Sequence, residues 1–380
     1  MHKPKIYKPL LPLSYLYGLG VRLRNKLFDY DILHSRTFDI PVICVGNISV
    51  GGTGKTPHTE YLIRLLKDRY NVFVLSRGYK RKSKGFVIAR EGHTEIQDIG
   101  DEPYQMWKKF PDINVVVDAN RCNGISNILG ILGSSGNSSL KSPVIILDDA
   151  YQHRYVKAGM YILLIDYNRP VHNDALLPAG RLREPESGKK RADIIIVSKC
   201  PKDISNNEQN EFVKAINPLP GQSIYFTYTE YENLQKLFPE SPNGHESTNT
   251  TDSRTVYNLT SDTHILLLTG IASPKAIINK LKEWTNNIYP IIFGDHHNFS
   301  DKDMETVKEK FLQLPEEKRI IITTEKDAAR LISHPDLSTE LKPYIYTLPI
   351  KVRFISKNEQ NFNQKITEYV TENSRNSSLS

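Results

Sequence analysis

Ser49-Val50-Gly51-Gly52-Thr53-Gly54-Lys55-Thr56 is a glycine-rich turn between two stretches of different periodicity. Upstream, Ile40 to Val45 is a β-branched apolar run, which predicts a buried strand. Downstream, Tyr61, Leu62, Leu65 and Leu66 recur at helical spacing. Strand, glycine turn and helix start form a setting in which backbone N–H groups converge on an anion and the helix dipole reinforces them. There a lysine reaches the terminal phosphates of a nucleotide, and the hydroxyl that follows it faces magnesium. Lys55 and Thr56 fill those places, while Ser49, Val50, Gly51, Gly52, Thr53 and Gly54 form the cradle. Ser49 departs from the usual pattern, which has glycine there. A ligand-free glycine turn would leave Gly54-Lys55-Thr56 at this junction unexplained.

Downstream segments repeat the alternation of strand and helix. Val72 to Leu75 reads as a buried strand that ends at Ser76-Arg77-Gly78-Tyr79, followed by Lys80, Arg81, Lys82 and Lys84. Strand ends carry the ligand side of an open α/β sheet, so this basic run is expected near phosphate. Gly100-Asp101-Glu102-Pro103 opens a helix, and taken by itself Asp101 reads as its N-cap. Val115 to Asp118 is another strand, with Asn120-Arg121 starting the next connection. Val144 to Leu147 then delivers Asp148 and Asp149 to a strand end, as P-loop enzymes do to hold Mg²⁺ opposite the lysine and threonine. Gln152, His153 and Arg154 follow as a dense polar group. Arg181 and Arg183, on the loop Leu177 to Pro185, offer planar forks suited to oxyanions.

Composition bounds the whole. The chain has 380 residues, which favours two domains. A net charge of +7 predicts an anionic partner without choosing among nucleotide, nucleic acid, phospholipid and phosphorylated substrate. Cys44, Cys122 and Cys200 are too few and too scattered for a disulfide framework or a zinc site. No apolar run is long enough to span a bilayer. Leu10 to Tyr30 mixes leucines and tyrosines with Arg22, Arg24 and Lys26, so it reads either as an interfacial helix on anionic lipid or as a helix packed on its own domain.

Beyond Pro218 the composition shifts. Ile224 to Tyr231 reads as a strand outside the parallel core, and Pro239 to Arg254 as a disordered or variable insertion. A smaller α/β unit follows, with strands at Ile265 to Leu268, Tyr289 to Phe293 and Ile320 to Thr324. Tyr344 to Phe354 is expected to pair with Ile224 to Tyr231 as a two-stranded hinge, and the residues after Tyr369 to fray. Asp295-His296-His297 raises a metal site, but no third ligand has the required spacing. A histidine that orients a catalytic carboxylate is the better reading.

These motifs occur in the order of one family. The chain resembles the tetraacyldisaccharide 4'-kinases of lipid A synthesis through Ser49 to Pro57, Ser76 to Tyr79, Gly100 to Pro103, Asp148 to Arg154, Leu177 to Pro185, Asp295-His296 and Thr324 to Asp327. The resemblance implies a P-loop NTPase-like parallel sheet with helices on both faces, joined by a two-stranded β hinge to a smaller α/β/α domain. Its boundaries here fall at 1–30 for a membrane-associating helix, 31–222 for the kinase domain, 223–356 for the smaller domain and 357–380 for a tail. It also implies ATP and Mg²⁺, a tetraacyl glucosamine disaccharide 1-phosphate as acceptor, and work at the cytoplasmic face of the bacterial inner membrane without nucleic acid. Asp101 matches the family's general base and His296 its partner from the second domain, displacing the N-cap reading. Asp148 and Asp149 match metal and phosphate carboxylates, and Gln152 and His153 match polar positions of the same motif. Arg77, Arg121 and Arg181 are candidates to hold either the sugar phosphate or the ATP phosphates. Ala150 stands where many members have glycine. The alternatives are a P-loop ATPase or GTPase switch, which lacks an Asn-Lys-x-Asp motif here, and a soluble small-molecule kinase.

Overall fold

The computed structural model describes residues 6–134, 141–238, 259–271, 274–295, 297–334, 337–356 and 358–377. The proposed insertion at Pro239 to Arg254 and the histidine His296 lie outside them. The chain divides into two compact units, Met1–Glu230 with Val352–Ser380, and Tyr231–Lys351.

The first unit begins with helix α1 (Leu11–Asp29), which opens with Pro12 in its first turn, where a missing N–H costs nothing. Its core alternates β1 (Val42–Gly46), α2 (Lys55–Leu66), β2 (Asn71–Ser76), β3 (Val87–Ile88), α3 (Ile96–Ile99), α4 (Asp101–Lys109), β4 (Asn114–Val117) and α5 (Arg121–Ser134). It continues through β5 (Pro143–Asp148), β6 (Met160–Asp166), β7 (Ile194–Ser198), α6 (Asn206–Ile216) and β8 (Ser223–Tyr231). Strands β1, β2 and β4 to β8 pair in parallel, and the short β3 is antiparallel to its neighbour β4. Two cores lie side by side on one face, because in-register pairing puts Val42, Phe73, Ile145, Leu163 and Ile195 on the same side, while the alternate residues Ile43, Val74, Ile146, Leu164 and Ile196 are buried on the other. One core gathers Leu163, Ile195, Val197, Phe212 and Phe226, the other core Val42, Phe73, Val116, Ile128 and Ile145. Burial on both faces explains why these strands read as unbroken apolar runs.

The second unit has its own sheet, built from β9 (Gln235–Lys236), β10 (His264–Thr269), β11 (Ile288–Ile292), β12 (Arg319–Thr323) and β13 (Ile345–Thr347), in the order β11-β10-β12-β13-β9. Helices α7 (Lys275–Leu281), α8 (Asp301–Leu312) and α9 (Glu325–Ile332) connect its strands. The stretch Tyr344 to Phe354 is two strands, not one. Pro349 interrupts it, leaving β13 in this sheet and β14 (Ile350–Phe354) beside β8 at the edge of the nine-stranded sheet β14-β8-β7-β6-β1-β5-β2-β4-β3.

The C-terminal segment corrects the expectation of a frayed end. Helix α10 (Asn358–Ser377) returns to the first unit with Phe362, Ile366 and Val370 fully buried. The Tyr369 hydroxyl donates to Val42 O and accepts from Val42 N, both at 3.0 Å, which ties the helix to the strand that feeds the glycine loop.

Candidate active site

The glycine loop leaves β1 and enters α2 at Lys55. Gly51 and Gly54 take φ values of 107° and 83°, a region that costs an L side chain strain. Three side chains brace the loop. Asn47 Nδ2 donates to Thr53 Oγ1 at 2.8 Å, Ser198 Oγ donates to Thr53 O at 2.8 Å, and Lys199 Nζ donates to Gly52 O. From the other side, Val50 N donates to Arg181 O at 2.7 Å and Arg183 N to Ile48 O at 2.8 Å. The cradle is therefore held by its neighbours and needs no anion to shape it.

Because β5 pairs with β1 in register, with Val45 opposite Asp148, the two carboxylates emerge beside this loop. Asp148 is buried and accepts from Thr59 Oγ1 of α2 at 3.0 Å. Burial first, then the charges of Glu102 and Asp149, push the Asp148 carboxyl well above its ordinary value. Asp149 behaves oppositely. Burial works against its charge, but Lys55 at 3.6 Å and Arg183 at 3.2 Å hold it below the ordinary carboxylate value. Its φ of 46° turns the chain so that consecutive carboxylates serve different neighbours. Glu102 sits beside the motif aspartate and is no candidate in the sequence, whereas Arg183 is one together with Arg181, as a fork for an oxyanion and not as the partner of Asp149.

These carboxylates fit a hard divalent cation, since Asp148 and Asp149 offer oxygen donors side by side at a strand end and the charges of Glu102 and Asp149 bear on Asp148. Among the described residues no three His, Cys, Asp or Glu side chains group closely enough to cage a metal unaided. Magnesium needs no such cage, because it takes one or two carboxylates and completes its shell with phosphate oxygens and water.

Asp101 is the first residue of α4, not its cap. Gly100 occupies the cap position with φ 87°, and no side chain caps the helix. A Cβ on Gly100 would stand 2.8 Å from Tyr79 O, so the entry to α4 is pressed against the turn after β2. That contact sets Asp101, half-buried, at the positive end of the α4 dipole.

Four other residues divide clearly. Arg121 is buried, donates from Nη1 to Asp118 O and Ala119 O at 3.2 Å, and leaves Nε buried with no acceptor among the described residues. Burial, followed by the charges of Arg121, Arg24 and Arg77, pushes His153 down to about 4, so it is neutral near pH 7. Gln152 braces the site by donating to Asn47 O at 2.7 Å and Glu184 Oε1 at 2.9 Å. Arg181 is exposed and lines a shallow pocket with Ser49, Gly51, Asp166, Arg169 and Asp174.

In the second unit, Asp295 pairs with Lys326 at 2.9 Å. His297 is committed locally, with Nε2 donating to Asp303 at 2.9 Å and its ring stacked on Phe293 at 4.4 Å. Asp327, fully buried, accepts from Gly270 N and from the hydroxyls of Thr269 and Thr324. The Thr324 to Asp327 motif is thus framework for the loops at that sheet's strand ends.

A braced phosphate cradle whose lysine leans on a strand-end aspartate defines a P-loop phosphotransferase. The family model described as tetraacyldisaccharide-1-P 4'-kinase matches residues 6–371, and the chain belongs to that family. It is 54% identical over 376 residues to the tetraacyldisaccharide 4'-kinase of Phocaeicola vulgatus, covering 99% of this chain and 98% of that one. The Bacteroides fragilis protein of the same name is 52% identical over 378 residues, covering 99% and 96%. Among solved structures, LpxK from Aquifex aeolicus in complex with ATP matches with a TM-score of 0.70 and 30% identity, over 96% of this chain and 99% of that one. The chain is accordingly a kinase, and the switch-type ATPase or GTPase reading is not favoured.

Proposed function

We propose that this kinase transfers the γ-phosphate of ATP to the 4'-hydroxyl of a tetraacyl glucosamine disaccharide 1-phosphate, at the cytoplasmic face of the bacterial inner membrane. The observation that carries the reading is the Lys55–Asp149–Arg183 chain beside the glycine loop, within a protein that matches the family along almost its whole length. Loop amides and Lys55 bind the triphosphate and neutralise charge that develops on the transferred group. Thr56, Asp148 and Asp149 are the residues to hold Mg²⁺, which supplies electrostatic stabilisation when bound. Asp101 accepts the proton of the sugar hydroxyl as the new O–P bond forms and the bond from the γ-phosphorus to the bridging oxygen breaks, leaving ADP. Arg121, which feels the charge of both aspartates and whose buried Nε has no acceptor among the described residues, is the candidate to hold a phosphate oxygen beside them.

Helix α1 supports the membrane assignment. One side is fastened to the first unit, with the Ser14 hydroxyl accepting from Ala179 N and Asn25 donating to Glu184. The other side exposes Leu13, Tyr15, Leu16, Leu19 and Leu23, apolar surface that suits lipid acyl chains. Both readings of this stretch therefore describe one of its faces. Among the described residues no helix is long and apolar enough to cross a membrane, so the proposed attachment is peripheral.

Asp101→Ala tests the chemistry. Its kcat should fall by about a hundredfold or more with KM for both substrates nearly unchanged, in steady-state assays with ATP and the lipid acceptor. A rise in KM alone would make Asp101 a binding residue.

A further inference from the structure

Glu60 is a carboxylate inside a helix face where an apolar residue would serve burial better. It sits on α2, one turn and a half past Lys55, with its side chain 2% exposed. Thr59 and Leu62 beside it are equally buried, Thr59 donating to Asp148 and Leu62 belonging to the core. A charge in such a place is costly unless it is paired and hydrogen-bonded. Three groups answer it. Lys109 Nζ donates to Oε2 at 2.6 Å and Gln105 Nε2 to Oε1 at 2.9 Å, both from α4, while Arg64 of α2 lies 3.4 Å from Oε2. Both oxygens are bound, and the two shorter bonds reach out of α2 to the helix that Asp101 opens.

Contacts between these two helices climb together along the chain. Glu60 meets Gln105 and Lys109, the Arg64 guanidinium lies 5.2 Å from the centre of the Phe110 ring, and Lys67 Nζ pairs with Asp112 at 3.3 Å. Partners that advance in step mean that α2 and α4 run side by side in the same direction. Their N-termini therefore lie at one end, where α2 presents Lys55 and α4 presents Asp101. The charge of Glu102 bearing on Asp148 agrees, since it brings the first turn of α4 to the strand end of β5. The Lys67–Asp112 pair is largely exposed and worth little. Glu60 makes the buried tether, and of these contacts it is the nearest to the site. At a rise of about 1.5 Å per residue it acts about 6 Å along α4 from Asp101 and about 7.5 Å along α2 from Lys55.

A buried ion pair adds little net stability over a well-packed apolar side chain, yet breaking one partner is costly, so it suits the holding of a register. We propose that Glu60 is a positioning residue for phosphoryl transfer: by clamping α4 to α2 behind their N-termini, it sets the place of Asp101 relative to the phosphates held by the glycine loop. The inference rests on the proposed role of Asp101 and adds the group that aims it. Glu60 acts through α4, not by contact with either substrate. The effect is steep in distance, since a shift of about 1 Å in a reacting group costs up to about a hundredfold in rate. The glycine loop has its own braces in Asn47, Ser198 and Lys199, so loosening α4 leaves the nucleotide seat in place.

The test is steady-state kinetics on the full chain with ATP and the lipid acceptor, comparing wild type, Glu60→Leu, Asp101→Asn and the double variant. Glu60→Leu should lower kcat by about tenfold or more while KM for ATP stays within about twofold. In the Asp101→Asn background the same change should cost less than about twofold, because the group that Glu60 aims is already lost. Glu60→Gln keeps an oxygen for Gln105 but no charge for Lys109, so its kcat should fall between those of Glu60→Leu and the wild type. Where Glu60→Leu does not fold, Gln105→Ala takes its place, at a half-buried position that leaves the carboxylate paired with Lys109 and Arg64. It should lower kcat by about threefold, and again not in the Asp101→Asn background. A lower Tm with kcat unchanged would make Glu60 a purely structural residue and overturn the inference. So would a loss of equal size in the Asp101→Asn background, or a rise in KM for ATP in place of the fall in kcat. If Asp101→Asn itself keeps the wild-type kcat, the base assignment fails and the inference with it, an outcome read without any Glu60 variant.

Discussion

Asp149 shows how one residue is set apart from an identical neighbour. Asp148 finishes the strand and stays inside, where burial and nearby carboxylates disfavour its charge, while Asp149 turns through a left-handed φ to meet Lys55 and Arg183. Removing Arg183 leaves a mostly buried carboxylate with Lys55 as its remaining close cation. Arg183→Ala should therefore draw Lys55 towards Asp149 and away from the nucleotide, raising KM for ATP and lowering kcat by about tenfold or more in steady-state kinetics. Lys at the same position should restore charge without the forked geometry, giving partial rescue. Gly100 is decisive in another way. Gly100→Ala must strain a φ of 87° and push on Tyr79 O, so a loss of about 2 kcal/mol in urea unfolding is expected, together with reduced kcat from a displaced Asp101. Unchanged kcat in a folded Gly100→Ala protein would separate the helix entry from the chemistry.

At the scale of elements, α2 does more than follow the loop. His58 lies on it, buried, with its ring between Gly54 O at 2.7 Å and Thr227 Oγ1 at 3.0 Å. A carbonyl only accepts, so Nδ1 carries the proton and Nε2 accepts from the Thr227 hydroxyl. The loop's last glycine is thereby linked through α2 to β8. Burial first, then Lys199, pushes His58 down to about 4 from 6.5. The sign follows from proton counts. Between pH 6.5 and 4 the unfolded chain takes up a proton that the folded chain does not, so stability falls as pH falls through that window. About 3 kcal/mol from His58 is expected, and neutral His153 adds in the same direction. Urea unfolding at pH 7 and pH 5 should show the loss, and His58→Gln should flatten it. Equal slopes in the two proteins would remove His58 as the cause. Helix α1 supplies a second test, since Leu16→Glu/Leu23→Glu alters only exposed positions. Thermal stability should hold while partition onto anionic vesicles falls, and unchanged partition would end the role of α1 as a lipid contact.

Over the whole molecule, much of the order was legible in the sequence because strands buried on both faces leave an unmistakable apolar signature. The glycine loop and the Asp148-Asp149 strand end could be placed from it, since each is tied to a strand terminus. Arg183 could not be separated from Arg181, because their difference depends on how a loop folds back on Ile48 and not on any periodicity. The break at Pro349 is masked in the sequence by the aromatic, β-branched residues on either side of it. Helix α10 was hidden by its polar residues, although Phe362, Ile366 and Val370 recur at the four-residue spacing of a buried stripe. That stripe makes a non-local claim, because a segment after the second unit completes the core of the first. Fully burying each of the three side chains stabilises by about 1.5 to 3 kcal/mol. Tyr61 adds hydrogen bonds to Glu359 and Asn363 at 2.9 and 2.8 Å, so α10 also steadies the helix that begins at Lys55. Phe362→Ala should cost about 3 to 5 kcal/mol. Amide exchange should quicken in β1, β2 and β5 while β10 and β12, in the other unit, keep their protection. ATP should recover part of the lost protection, since a ligand that binds only the folded site stabilises it by mass action. If β10 and β12 lose protection equally, α10 stabilises the molecule as one block, and its assignment to the nucleotide unit fails.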